Sequence, residues 1–443
     1  MATRKTFFPY LLLCLLVCTR LNAQDTTGIK WTLEQCLNYA KIHAYEINTY
    51  RLGVQTSQQN LAMSRAAKLP NLNGAASQNV THGKNFNSLT GSLQSQTTAT
   101  GNYSVSSGIT IYNGGYLNND IKQKELLVQS SNLDILQGIN DVTLQVTQDF
   151  LNILLDKENI VYLQDLANTS TAQVKQEQQL FDAGSIAKND LVQLQAQAAA
   201  DQYNLVTGQN ALRQNIVTLK QLLLLPYDTA FDVLSPDSIG IQRMYPTLSV
   251  AESAAMQTRP EIKNGELNVK IAELDLAKAR AGLLPVLSGS GALSSGYSSQ
   301  QGSYFRQLDD NFFQQLGLSL SIPIFNRRVP KTAIENSKIE IAQDEVNLEN
   351  TKSILSQQVE QAYINVQNSE GQYDAAVVEL NAAQEGYRIA NEELKQGAVN
   401  TVQLLLEKNA YIQALEQYTQ AKYNAVLYIK IYAFYMGEPV TLK

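Results

Sequence analysis

The chain has 443 residues, 44% of them hydrophobic and 17% charged, which places it within the globular range and excludes a disordered polymer. Its formal net charge is −6, and residues 1–23 carry three basic side chains (Arg4, Lys5, Arg20) and no acidic one, so cleavage after them would leave −9. Nucleic acid is excluded as the expected partner, because a phosphate backbone recruits clustered cations.

The first predicted segment is a secretory signal. Residues 1–23 join Arg4 and Lys5 to an apolar run from Phe7 to Val17 and end on the small residue Ala23, the three parts such a signal needs. Cys14 and Cys18 leave with it, and Cys36 alone cannot form an internal disulfide. Val17 is not the small residue that a lipid-anchoring cysteine at position 18 would want before it. No later apolar run reaches the ~18 residues of a membrane-spanning helix.

Residues 31–68 have a helical pattern that stops at Pro70, which lacks an amide hydrogen and disfavours helix in the residue before it. The texture then changes. Residues 71–113 hold a single charged side chain, Lys84, among Ser, Thr, Asn, Gln and Gly. Within them Tyr103, Val105, Ile109 and Ile111 alternate with Ser104, Ser106 and Thr110, the period of two of a strand with one apolar face. The preceding LNGAASQNV is assigned as its partner strand by symmetry with a later segment rather than by its own pattern. Between Gly114 and Phe181 there is no proline, and a helix of that length would be a rod of about 100 Å. FDAGSIAKND, residues 181–190, breaks the helical pattern at a glycine, and another helix follows. A linker over 227–246, carrying Pro236 and Pro246, comes next.

The same order is then written again. Shifted by 215, Leu33, Ala40, Glu46, Ile47, Arg65 and Pro70 fall on Leu248, Ala255, Glu261, Ile262, Arg280 and Pro285. Shifted by 213, Ile109, Ile111, Asn113, Gln145, Gly184 and Leu191 fall on Ile322, Ile324, Asn326, Gln358, Gly397 and Leu404. The expected organisation is a signal (1–23), a first repeat (24–226), the linker (227–246) and a second repeat (247–443). In the second repeat Phe312, Leu316, Leu318, Leu320, Ile322 and Ile324 alternate with Phe313, Gln315, Gly317, Ser319, Ser321 and Pro323, and VLSGSGALSSGY is the partner strand by symmetry. Ile334, Ile341, Leu348, Leu355 and Ala362 recur every seven residues, with Ile339, Val346, Val359 and Val366 beside them, as in a helix supercoiled on a neighbour.

These elements constrain assembly. A ten-residue strand with one apolar and one wettable face, in an exported chain, has the pattern of an outer-membrane barrel. Four such strands cannot close around a lumen, and open edges cannot face lipid. Either the strands form a small soluble sheet, or several chains pool them; three would supply twelve. The glycines at 184 and 397 read as helix C-caps, with Ser185 placed to cap the next helix. Chemistry is missing: His43, on a helix surface, and His82, in a strand or loop, lie in different elements with no metal-ligand spacing around them, and there is no phosphate loop or nucleophile–base set, so no enzyme and no cofactor is expected. Tyr423, Tyr428, Tyr432, Phe434 and Tyr435 are expected to pack midway along a helical bundle rather than to form a membrane belt.

A signal peptide, a direct duplication, two strands per repeat, rod-length helices and the elements FDAGSIAKNDLVQLQAQAA and LKQGAVNTVQLLLEKNA together resemble the TolC family of outer-membrane efflux proteins. The resemblance implies a mainly α fold with a β-barrel contribution: a homotrimer with a twelve-stranded barrel in the outer membrane of a Gram-negative bacterium, continuing into an α-helical barrel in the periplasm. It implies docking to a periplasmic adaptor and an inner-membrane transporter, with Ala183, Gly184, Ser185, Gln396, Gly397 and Ala398 at the docking tips. Asp190 matches a family gate aspartate. The second repeat departs from the family pattern, with Val399 at the position of an arginine and Gln403 and Leu406 at those of two aspartates; Glu407 lies close by. The expected gate is therefore a ring of Asp190 hydrogen-bonded to Gln403, with Glu407 beside it, against the alternative that Asp190 is a solvated first-turn acid. The competing class is a soluble periplasmic coiled-coil scaffold or adaptor-like protein.

Overall fold

The computed structural model describes residues 29–87, 91–236, 240–241 and 243–442. The expected signal at 1–23, with Cys14 and Cys18, lies outside them. The first repeat begins with strand β1 (Ile29–Trp31), followed by helices α1 (Leu33–His43) and α2 (Tyr45–Ala66). Strands β2 (Asn73–Asn87) and β3 (Ser92–Asn113) form a hairpin that leads into α3 (Tyr116–Asp182) and α4 (Lys188–Leu222). After β4 (Phe231–Val233), the second repeat runs α5 (Leu248–Thr258), α6 (Pro260–Ala281), β5 (Val286–Ser298), α7 (Tyr304–Asp310), β6 (Phe313–Ser321), α8 (Val329–Lys395) and α9 (Thr401–Tyr435).

The duplication is exact in the length of the long helices, since α3 and α8 each have 67 residues and α4 and α9 each have 35. It is also exact in strand register. Asn73 opposes Ser106 in the first hairpin, and their shifted counterparts Ser288 and Ser319 oppose each other in the second. Both strands assigned by symmetry are present.

Several expectations need correction. The helix over 31–68 is two helices, because Ala44 leaves the helical region at φ −54°, ψ 136°. This break lets α1 fold against α3 while α2 continues along the rod. Its start at Trp31 is a strand instead, since β1 pairs in parallel with β4. The linker over 227–246 thus contains an ordered strand. β6 ends at Ser321 before Pro323, which has no amide to donate to a ladder, so Ile322 and Ile324 lie beyond it. The second hairpin carries α7 between its strands, with no counterpart helix among the described residues of the first. Finally, Ser185 does not cap α4; the N-cap is Ala187 and has no side-chain hydrogen bond, whereas Asn400 caps α9 by accepting from the Gln403 amide at 3.0 Å.

The seven-residue stripe faces inward: Leu355 and Ala362 are buried with Val359 and Val366, and Ile334, Ile341 and Leu348 are half-buried. Ile339 and Val346 are exposed on a single chain. Two cores form where the short helices pack at mid-length on the rods. One gathers Cys36, Ile47, Val146, Phe150 and Leu219 around Phe231 and Val233; the other gathers Ala251, Ile262, Leu355, Val359 and Tyr432. The C-terminal aromatics lie in helix α9 and serve these cores. The Tyr432 hydroxyl donates to the Pro246 carbonyl at 3.0 Å, and the Tyr423 hydroxyl to Glu158 at 2.8 Å.

Leu355 is the largest aliphatic side chain fully buried in the second core. Leu355→Ala should destabilise the protein by about 2–5 kcal/mol through lost burial and the cavity left behind, read as an earlier midpoint in denaturant.

Candidate functional site

The four-stranded sheet has the order β2-β3-β5-β6, antiparallel throughout, so the two repeats join at β3 and β5. The register puts Val80, Tyr103, Val105, Leu293, Leu316 and Leu318 on one face, and Ser77, Ser104, Ser106, Ser294 and Ser319 on the other. The apolar face is bare: Leu316 is 92% exposed and Leu318 77%. Gly289 and Gly291 lie between these side chains, and a Cβ at either would come within 3.3 Å of Ile109 or Leu316. Aromatics mark both ends of this face, the exposed Tyr112 and Phe325 toward the rods, and at the far end an edge-to-face set of half-buried Tyr297 with exposed Tyr304 and Phe305. Aromatic girdles bounding an apolar band are what a lipid bilayer selects. The outer edges of β2 and β6 pair with no strand among the described residues.

At the other end of the rods stand two hairpin tips. Gly184 and Gly397 have φ of 77° and 68°, the left-handed region that a side chain resists, and nothing lies within 4 Å of an added Cβ at either. Around them the Ser185 amide donates to the Leu180 carbonyl at 2.8 Å and the Ala398 amide to the Glu393 carbonyl at 2.9 Å, the paired C-cap bonds expected of such glycines. Ala183, Gly184, Ser185, Gln396, Gly397 and Ala398 are all exposed. Asn391 accepts from Gln173 at 3.5 Å, which brings the two hairpins together just above their tips.

The expected gate residues are only partly brought together. Asp190 is half-buried in the first turn of α4, and burial, with Asp190 second, pushes the Glu177 carboxyl of α3 upward. The Gln403 side chain does not bond to Asp190; its amide donates to Glu407 at 2.9 Å, one turn along the same helix. Glu407 in turn lies against α8 at Gly386, where a Cβ would approach its Oε2 to 3.0 Å. His43 and His82 are apart, as expected: His43 stacks on Tyr39, and His82 pairs with Thr97 in the sheet.

The polar link between the repeats is one that sequence reasoning missed. Lys408 of α9 is 0% exposed and donates to Asp201 of α4 at 2.6 Å and to Ser170 of α3 at 2.5 Å. Ser170 also bonds Asp201, whose second oxygen accepts from Gln197 at 2.8 Å. A cation within the buried stripe Leu404–Lys408–Leu415 is the sequence signal that could have found it. The pin ties the second hairpin to the first close to the tips. Lys408→Met should leave Asp201 buried and unpaired, at a cost of about 3–5 kcal/mol, and Lys408→Met with Asp201→Asn should recover most of the loss. Denaturation of the purified assembly measures both.

Comparison with known proteins agrees with this geometry. The profile described as outer membrane efflux protein matches residues 37–223 and 252–427, one block per repeat. Similar relatives include the outer membrane efflux protein BepC of Brucella suis, 21% identical across 89% of this chain and 84% of that protein. The outer membrane protein TolC of Escherichia coli is 23% identical over 66% of this chain and 62% of its own length. Among solved structures, that of CusC, studied for its folding and transmembrane channel formation, superposes with a TM-score of 0.79 over 92% of both chains at 17% identity. With both repeats matched, the chain belongs to the outer membrane efflux protein family.

Proposed function

We infer that this chain is the outer-membrane channel subunit of a tripartite efflux or type I secretion system, a passive duct rather than an enzyme. Three copies pool their sheets into a twelve-stranded transmembrane barrel, and their rods continue it as a helical barrel through the periplasm. The observation that carries this reading is the sheet itself, with a bare apolar face, a face of serines, and two unpaired edges. A soluble scaffold would have no use for such a face. An adaptor would carry one helical hairpin, and this chain has two of equal length.

The duplication supplies the register of the shared wall. Within the chain Ser106 of β3 opposes Ala292 of β5. Applying the two repeat shifts to that pair sets Ser319 of β6 opposite Ser77 of β2 in a neighbouring copy. That register keeps Leu316 and Val80 side by side on the apolar face.

The exposed tips around Gly184 and Gly397 are where the hairpins of a periplasmic adaptor would fit between neighbouring subunits, with the inner-membrane transporter beyond. Asp190, beside Glu177, would ring the narrow end of the lumen three times over, while Glu407, held by Gln403, lines the adjoining hairpin. Like charges gathered there would select against anions and keep the constriction hydrated.

Ser77→Cys with Ser319→Cys should give disulfide-linked species up to the trimer on oxidation of intact membranes. Cys36 will not compete, since it is buried and its thiol is pushed up to about 12. A protein released by osmotic shock, or one that stays monomeric after oxidation, would sink the shared wall. Asp190→Ala should raise single-channel conductance in a planar bilayer; unchanged conductance would remove Asp190 from the gate.

A further inference from the structure

The duplication allows the two copies to be compared site by site at the break between their short helices. In the second copy that break is Arg259, at φ −69°, ψ 131°. Its Nε donates to Glu261 at 3.0 Å, and its guanidinium lies 5.3 and 5.1 Å from the ring centres of Phe434 and Tyr435. The first copy has the same backbone at the same break, but the residue is Ala44. Glu46 takes the place of Glu261, and Gln221 and Leu222 those of Phe434 and Tyr435.

What Arg259 fills in one copy is open in the other. A cavity of about 410 Å³ lies among Ala44, Glu46, Gln145, Asp149, Thr218 and Gln221. Asp149, whose counterpart in the second copy is Ala362, is only 7% exposed. Its Oδ1 accepts from Gln145 at 3.0 Å, while its buried Oδ2 has no hydrogen-bond partner. The first copy therefore holds one more carboxylate and one fewer cation than the second at the same place. Burial already pushes the Asp149 carboxyl upward, so a bound cation would relieve a group under strain.

We propose that this pocket binds a small organic cation of the guanidinium class, held by the Asp149 and Glu46 carboxylates in the position that the Arg259 guanidinium occupies in the other copy. A planar fork of N–H donors can present two parallel contacts to a carboxylate and reproduces the Arg259 head, which a compact ammonium does not. A metal ion is a poorer fit. No group of three or more His, Cys, Asp or Glu able to hold one occurs among the described residues, and the remaining lining is amide, hydroxyl and methyl. The pocket lies midway along the rods, away from the sheet and the tips, and does not depend on the channel reading.

The test is a calorimetric titration of the full-length, detergent-solubilised protein with agmatine, which ends in a guanidinium, and with cadaverine, a diamine of similar length without one. Agmatine should bind saturably and cadaverine should not. Asp149→Asn should weaken agmatine at least about tenfold. Ala44→Arg should abolish its binding and raise the unfolding midpoint, by building the second copy's ion pair into the first. No saturable agmatine binding, equal binding of cadaverine, or agmatine binding unchanged in both variants would overturn the proposal. If Ala44→Arg does not fold, the Asp149→Asn titration decides alone.

Discussion

A backbone amide that faces hydrocarbon without a partner costs several kcal/mol, and this chain has two strand edges that its own sheet leaves open. That cost governs the rest of the molecule. Four strands form an open sheet whose apolar face needs lipid and whose edges need other strands. Only further copies of the same sheet satisfy both demands, because they bring the same register and the same alternation of faces. The rods follow, since each strand pair runs directly into a helix of 67 residues and the geometry imposed at the sheet is carried down them.

Duplication lets one scaffold serve two purposes. Where the repeats meet inside a chain, Lys278 pairs with Asp275 at 2.8 Å and Asp120 at 3.4 Å, and Gln123 bonds to both Lys278 and Asp275. The counterparts of these four residues are Met63, Asn60, Ala333 and Asn336, all neutral. The same holds near the tips, where Lys408, Asp201 and Ser170 correspond to Gln195, Ala414 and Ala383. The seam within a chain is therefore charged and pinned, and the equivalent seam offered to a neighbour is not. Packing follows a similar exchange. Tyr50 fills the hollow at Gly138 in the first repeat, and Leu348 fills the hollow at Gly265 in the second, so the bulky residue changes helix while the fit is kept.

Features with a short period could be read from the chain directly. Alternation of two identified β3 and β6, a period of seven identified the inward stripe of α8, and glycines with positive φ sit where the helical pattern stopped. The break at Ala44 could not be read, because alanine is an excellent helix former and nothing in its neighbourhood interrupts the pattern; the fold of α1 against α3 and the pairing of β1 with β4 impose it. Helix α7 was missed because its seven residues are shorter than the window that a helical period needs. The bond expected between Asp190 and Gln403 failed for a related reason: Glu407 lies one turn from Gln403 on the same helix, and a local acceptor competes strongly for a side-chain amide.

By itself the sequence determined the duplication, the order of strands and rods, the two glycine turns and a strand count too small for one copy to close a barrel, because each is written in local periodicity or in a simple count of strands. The tertiary structure alone decided which residues meet across helices. Lys408 finds Asp201 at a separation of 207 residues, and the unfilled place beside Asp149 becomes visible only when Arg259 is seen in its counterpart. Such meetings depend on the rotation and axial register of packed helices, and these are settled by many side chains at once rather than by any stretch of the chain.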